Sequence, residues 1–316
     1  MGDVPHLEIG DVPHLCLCRR KRGYVPIINV REDRAFVKIP RSLEPLVADG
    51  FVDEVLRQLM SGKEASVFVV RCGEVLRCAK VYKSVQQRGF RQAVSYTEGR
   101  KVKNSRQARA MAKGSRYGRQ EQEAAWQNAE VSALYQLAAA GVRVPRPHLF
   151  HEGVLLMELI VDATGAPAPR LNDVVLSEAE AVRHHHDLLR QVVRMLCAGV
   201  VHGDLSEYNV LLDAEGPVII DLPQAVDAAA NNAAQAMLMR DVDNLATYFG
   251  QFAPALRGTA YGQEIWALYE AGTLRPDSVL TGVHRVSQAS ANVREVLDVI
   301  EDARREAAAR QLGREA

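Results

Sequence analysis

The chain has 316 residues, with 39 Lys plus Arg against 39 Asp plus Glu, and 47% of it is hydrophobic. At about 150 residues per domain, that length suggests two compact units with a sizeable core. The zero formal charge excludes a protein that coats polyanions over its whole surface, and no run approaches the roughly 18 apolar residues that cross a bilayer. The first 20 residues are broken by Asp3, Glu8 and Asp11 and lack the apolar region of a signal peptide, so a cytoplasmic protein without membrane contact is expected. The five cysteines (Cys16, Cys18, Cys72, Cys78 and Cys197) are odd in number and scattered, which reads as reduced thiols rather than a disulfide framework. Cys16 and Cys18, near His6 and His14, lack the paired spacing of a structural zinc site.

In chain order, Gly2-Asp3-Val4-Pro5-His6-Leu7 recurs as Gly10-Asp11-Val12-Pro13-His14-Leu15, too few copies for a stacked repeat. After Pro26, Pro40, Pro45 and the turn pair Asp49-Gly50, apolar residues at 51, 52, 55, 56, 59 and 60 predict a helix over Phe51 to Met60. Val67 to Val70 and Val75 to Tyr82, separated by Cys72-Gly73-Glu74, predict a hairpin. Residues 84–120 are poor in apolar side chains and read as a long loop or a mobile helix. Glu121 to Ala140 reads as a helix ended by Gly141. Val154 to Ile160 reads as a buried strand, followed by a Pro-Ala linker over Gly165 to Pro169. Further helices are expected at Glu178 to Ala198, Val242 to Phe249, Glu264 to Ala271 and Ala291 to Ala309, with a short strand at Val218 to Ile220. A small mixed half followed by a helical half is an α+β, two-lobed arrangement. The expected division is 1–50, an extension of unassigned role; 51–160, the smaller lobe with the loop 84–120; and 161–316, the helical lobe.

The strongest chemical signal is His202-Gly203-Asp204-Leu205-Ser206-Glu207-Tyr208-Asn209, with Asp221 twelve residues on at the end of Val218-Ile219-Ile220. A carboxylate, an amide five residues later and a second carboxylate after an apolar strand form a phosphoryl-transfer constellation. One group orients the nucleophile, and two oxygen ligands hold a divalent cation on a triphosphate. The spacing from Asp204 to Asn209 is that of the kinase H-R-D-x-x-x-x-N loop. Each residue alone would be an ordinary turn or strand end. Ser61-Gly62-Lys63-Glu64-Ala65 offers backbone N–H groups to phosphates, but it is not a Walker loop. Lys80, in the apolar stretch Cys78-Ala79-Lys80-Val81, needs an anionic partner if it faces inward. Glu130 is the expected partner, with Glu121 and Glu123 as fallbacks. Leu155-Leu156-Met157-Glu158-Leu159-Ile160 leads into the linker and could present backbone groups to an adenine ring, with Met157 walling the pocket. From Arg88 to Arg119 there are ten Lys or Arg and one acid, Glu98. That segment suits a polyanion, either ATP phosphates or RNA, without the stacking aromatics of sequence-specific RNA readers. His184-His185-His186 reads as a surface helix.

Together these strings resemble the RIO family of atypical serine/threonine protein kinases, over Phe51 to Phe252. Ser61-Gly62-Lys63-Glu64-Ala65 is similar to the family's S-x-G-K-E-A loop, short of one family position at Met60-Ser61-Gly62. His202 to Asn209 is similar to its catalytic loop, and Ile220-Asp221-Leu222-Pro223-Gln224-Ala225-Val226 to its metal-binding loop. The resemblance implies a trimmed kinase fold without activation and peptide-binding segments. It also implies ATP with Mg²⁺ (or Mn²⁺), a Lys80–Glu130 ion pair, Asp204 as the catalytic residue, and Asn209 and Asp221 as metal ligands. Ser61, Gly62, Lys63, Glu64 and Ala65 would lie over the phosphates, and Met157, Glu158 and Ile160 would lie at the adenine. Family members autophosphorylate on serine. Some work as ATPases through a phospho-aspartate at the position of Asp221, and archaeal and eukaryotic members mature the small ribosomal subunit. The Ala- and Arg-rich composition looks bacterial, and within the family the chain resembles the branch without an evident N-terminal winged helix.

Two other functions fit parts of the pattern. Small-molecule kinases of the aminoglycoside phosphotransferase type share His-Gly-Asp and a later Ile-Asp, but their loop reads L-H-x-x-N where this chain has Leu205-Ser206-Glu207-Tyr208-Asn209. An ATP-gated binding module would instead dock Arg88 to Arg119 on RNA or a ribosomal particle and use hydrolysis to time release. The expected partners are therefore ATP, the chain itself, a protein substrate and, through the basic segment, RNA or a ribosomal particle.

Overall fold

A computed structural model describes residues 19–20, 39–83 and 116–283, with backbone alone for 19–20 and 116–126. The described elements belong to one compact unit that ends at Gly282. The GDVPHL repeat, nearly all of the basic segment Arg88 to Arg119, and the helix expected at Ala291 to Ala309 lie outside the described residues.

A two-residue strand β1 (Arg19–Arg20) pairs antiparallel with β7 (Val174–Val175) of the larger lobe. Helix α1 (Glu44–Ala48) then precedes an antiparallel sheet built from β2 (Glu54–Ser61), β3 (Ala65–Cys72) and β4 (Val75–Tyr82). Helix α2 (Arg116–Ala139) follows, and β5 (Pro147–His151) and β6 (Val154–Glu158) complete the sheet in the order β2-β3-β4-β6-β5.

Strand periodicity sorts the side chains of this sheet between two cores. Ala79, Val81, Val154 and Leu156 join Leu43 and Leu46 of the α1 segment in an outer core. Tyr82 and Leu155 face the other way and pack with Leu134 and Leu137 of α2. Lys80 lies on the same face as Tyr82, two residues along, and so enters the space between the lobes.

The helix expected over Phe51 to Met60 is instead mostly strand β2. Its pairing with β3 carries two register shifts, between Val55 and Arg57 and between Gln58 and Met60. Each extra residue breaks the alternation of a strand and leaves apolar residues three or four apart, which imitates a helix. The Ser61-Gly62 turn therefore joins two strands rather than a helix to a strand. The expected hairpin forms, with Cys72 paired to Val75 across Gly73. Helix α2 begins earlier than Glu121 and ends before Gly141, whose φ of +72° suits a residue without a side chain.

The larger lobe starts after the linker, where Ile160, Ala168 and Val218 form a small cluster. Helix α3 (Glu178–Cys197) opens with a reciprocal cap: Ser177 Oγ accepts from the Glu180 N–H, and the Glu180 carboxylate accepts from the Ser177 N–H at 2.8 Å. Strands β8 (Val200–Val201), β9 (Val210–Leu212), β10 (Pro217–Ile219) and β11 (Val226–Asp227) make two short antiparallel pairs, β9 with β10 and β8 with β11. Helices α4 (Ala234–Phe249) and α5 (Tyr261–Glu270) pack against α3.

The triple histidine is not a surface feature throughout. His184 and His185 are buried, and only His186 is exposed. His185 lies between the rings of Phe249 and Tyr261, with no hydrogen-bond partner on either nitrogen. The fold is an α+β, two-lobed arrangement. No helix among the described residues is long and apolar enough to cross a membrane.

Candidate active site

The cleft between the lobes is organised by Lys80. Its Nζ donates to Glu130 Oε1 at 2.6 Å and to Asp221 Oδ1 at 2.8 Å. The Lys80 side chain is 12% exposed and that of Glu130 only 4%. Burial alone would push the Lys80 pKa down, but Glu130 and Asp221 outweigh it and hold the ammonium well above its usual range. The Lys80 ammonium also lies 5.5 Å from the centre of the Tyr82 ring. Of the three glutamates considered for Lys80, Glu130 is the one that meets it. The side chains of Glu121 and Glu123 lie outside the described residues.

The loop after β8 is held from below. His202 is buried, and burial lowers its pKa to about 4, so the ring is neutral at pH 7. Its Nδ1 accepts from the Asp204 N–H at 3.3 Å, which assigns the proton to Nε2, the atom 3.2 Å from the Ile220 carbonyl. One imidazole thus links the loop of Asp204 to the strand end that carries Asp221. Gly203 has φ +82°, and a Cβ there would stand 2.7 Å from the Gln224 carbonyl oxygen. Asn209 Nδ2 donates to the Asp204 carbonyl at 2.8 Å, and the Asn209 carbonyl accepts from the Ile220 N–H at 2.9 Å. With its amide nitrogen engaged, Asn209 has its side-chain oxygen left to offer.

Asp221 adopts φ +67°, outside the region most side chains prefer. Desolvation by the surrounding cleft pushes its carboxyl up, although the side chain itself is exposed, and the charge of Lys80 and its hydrogen bond more than reverse this, so the pKa lies below the ordinary carboxylate value. Asp204 moves the other way: partial burial raises it, with the Arg240 guanidinium opposing. The two carboxylates are close enough for the Asp221 charge to raise Asp204 further. The donor set of one carboxylate and one amide oxygen suits a hard cation that keeps its remaining positions for phosphate and water. Among the described residues, no cluster of three or more His, Cys, Asp or Glu forms a self-sufficient metal cage.

The Ser61-Gly62 turn lies above. The Gly62 N–H donates to the Ala65 carbonyl at 2.9 Å, and Ser61 Oγ is 3.3 Å from Ser66 Oγ. Lys63 and Glu64 are exposed, and Ala65 is buried. Met157 lines an apolar pocket with Leu134, Leu155 and Leu222, beside Lys80 and Asp221. Two backbone groups of the adjoining linker are already engaged: the Glu158 N–H donates to the Arg146 carbonyl and the Ile160 carbonyl accepts from the Ala168 N–H, each at 2.9 Å.

Residues 66–260 match the family model described as the RIO domain. The chain belongs to the RIO family. Relatives of this RIO kinase include the RIO-type serine/threonine-protein kinase Rio1 of Haloferax volcanii, 34% identical over 223 residues that make up 70% of each chain. The protein of the same name from Methanocaldococcus jannaschii is 31% identical over 209 residues, 66% of this chain and 67% of that one. The human serine/threonine-protein kinase RIO1 is 29% identical over 247 residues, 75% of this chain and 42% of the human protein.

Four residues that hold this RIO kinase's site together were not singled out in the sequence. Asp241, on α4, is 2% exposed and accepts from the Gly203 N–H at 2.8 Å and the Leu205 N–H at 2.9 Å. Burial raises its pKa to about 7 against the pull of those two N–H groups and of Arg240. Arg240 donates to the Gly203 carbonyl, and Asn244 to the Leu205 carbonyl. Lys83, just beyond β4, clamps the upper turn: its Nζ donates to Ser61 Oγ at 3.0 Å and to the Gly62 carbonyl at 2.6 Å. Met237, Asp241 and Leu245 recur at four-residue spacing on the buried face of α4, a pattern that marks a core stripe and could have singled out the one acid in it.

Proposed function

We propose that this RIO kinase transfers the γ-phosphoryl group of ATP, with Mg²⁺ (or Mn²⁺), to serine or threonine hydroxyls, beginning with its own chain. The observation that carries this is the double ion pair of Lys80 with Glu130 and Asp221. It brings together residues 50 and 141 positions apart in one cleft, below the Ser61-Gly62 turn. In this reading Glu130 holds the Lys80 ammonium where α- and β-phosphate oxygens arrive. Asn209 Oδ1 and the Asp221 carboxylate hold the cation, which supplies charge neutralisation at the β- and γ-phosphates.

Asp204 orients the acceptor hydroxyl. The acceptor hydroxyl oxygen forms the new bond to the γ-phosphorus, the bond from that phosphorus to the β-bridging oxygen breaks, and the hydroxyl proton passes to Asp204. ADP leaves with the electron pair. Ser61, Gly62, Lys63, Glu64 and Ala65 cover the phosphates. Met157 walls the adenine pocket, and the Glu158 carbonyl and Ile160 N–H are the linker groups left to meet the base. The proposed division is a smaller lobe over 51–160 and a larger one over 161–316, with 1–50 as an extension.

Incubation with γ-labelled ATP and Mg²⁺ tests the reading. Label on serine or threonine of the chain is the expected result. Label on an aspartate with release of free phosphate would instead favour an ATPase switch acting through Asp221. The RIO assignment speaks against the aminoglycoside-type reading. A role of Arg88 to Arg119 on RNA or a ribosomal particle is tested by replacing Arg106, Arg109 and Lys113 together, which should flatten the salt dependence of RNA binding.

A further inference from the structure

We propose that Arg170 is a nucleotide-binding residue whose guanidinium engages the terminal phosphates at the mouth of the cleft. The proposal rests on the reading of the cleft as an ATP site and extends it to a residue outside the motifs.

The backbone of Arg170 is rigidly mounted. It forms an antiparallel bridge with Leu211 of β9, two residues beyond Asn209. On its two sides, the Pro169 carbonyl accepts from the Leu212 N–H and the Arg170 carbonyl from the Asp173 N–H, each at 2.9 Å. The side chain then leaves the larger lobe and crosses to the smaller one. Its Nη2 lies 3.2 Å from Met60 Sδ, directly before the Ser61-Gly62 turn.

That contact is a poor match for the group that makes it. A guanidinium carries five donors in a planar fork, and a thioether is a weak acceptor. Among the described residues no carboxylate lies within ion-pair distance of Arg170. A fork of this kind suits the paired oxygens of a phosphate better than a single lysine does. The side chain thus runs from a strand pairing two residues beyond Asn209 to the residue before the turn expected over the phosphates, with most of its donors uncommitted among the described residues.

The alternative is a strut that ties the lobes through Met60. The two roles separate in a binding experiment on the full chain. ATP and adenosine are titrated separately in Mg²⁺ into the unaltered protein, Arg170→Met and Arg170→Lys, with thermal melts alongside. Loss of a charge-assisted contact to phosphate should weaken ATP about 10- to 100-fold in Arg170→Met. Adenosine affinity should stay within about threefold, since it lacks the group contacted. Arg170→Lys should fall between. Equal losses for ATP and adenosine would assign the strut instead, and unchanged ATP affinity would overturn the proposal outright. Should Arg170→Met fail to fold, the same comparison in Arg170→Lys decides: an ATP-selective loss supports the contact, and a uniform loss or none overturns it. Failure of the unaltered chain to bind ATP would remove the parent reading, before any variant is compared.

Discussion

Replacing Lys80 with Met should cost far more stability than a surface charge would. The ammonium bridges Glu130 and Asp221, but the two arms are unequal. The Asp221 side chain is 44% exposed, and solvent screens that arm so that little is lost with it. Glu130 is buried, and without Lys80 its carboxylate is left unpaired in the interior. Breaking a buried pair from one side costs about 3–5 kcal/mol. For a domain of this size, each kcal/mol lowers the melting temperature by roughly 2–4 °C, so Lys80→Met should melt roughly 6–20 °C lower. The companion variant Lys80→Met/Glu130→Leu removes both charges and fills the space with apolar atoms. Replacing a whole buried pair in this way is often neutral, so the double variant should regain at least half of the loss. Calorimetric melts of the parent, both single variants and the double variant supply the cycle. A double variant that falls by the sum of the two singles, or a Lys80→Met that melts with the parent, would refute the buried-pair argument. Phosphoryl transfer should be lost in all three variants, so stability and activity are read independently.

Asp204→Ala should lower transfer by about 10²–10⁴-fold with ATP affinity retained, because the residue is expected to act on the acceptor rather than the nucleotide; single-turnover transfer and equilibrium titration together check it. Gly203→Ala should distort the same loop, since its Cβ would meet the Gln224 carbonyl at 2.7 Å in a backbone with φ +82°; the expected cost is about 1–3 kcal/mol by denaturant titration, with activity falling too. His202 and His185 both sit near pKa 4 in the folded chain because burial penalises their charged forms. Their depressed values mean that the native state holds fewer protons than the unfolded chain between about pH 6.5 and 4, so stability falls as pH drops through that window. Melts across that range should show it, and His185→Phe should make the slope shallower by up to about 1.4 kcal/mol per pH unit while leaving activity intact.

Much of the candidate site's make-up was legible in the chain, because it is written in short strings. Asp204 and Asn209 are five residues apart, and Asp221 closes an apolar stretch, so local patterns carry their placement. Lys80 could be read as a strand lysine in need of an anionic partner, with Glu130 expected ahead of Glu121 and Glu123. The pairing with Glu130 needed the fold, since three glutamates of one helical stretch were candidates and only packing selects among them. Strand β2 misled for a physical reason: its two register shifts break the alternation from which a strand is read and leave a helix-like spacing. His184 and His185 misled because a polar triplet says nothing of which helix face meets the core.

From its sequence alone this protein's class of chemistry was determined, because a phosphoryl-transfer loop demands particular side chains at fixed short offsets. The tertiary structure alone decided what holds that chemistry in position. Asp241 beneath the Asp204 loop and Lys83 on the upper turn hold the candidate site, and Arg170 reaches Met60 across the cleft, contacts that span up to 110 residues. No local period encodes such contacts. They exist only once the sheet and helices have buried their apolar faces and left these polar groups facing one another.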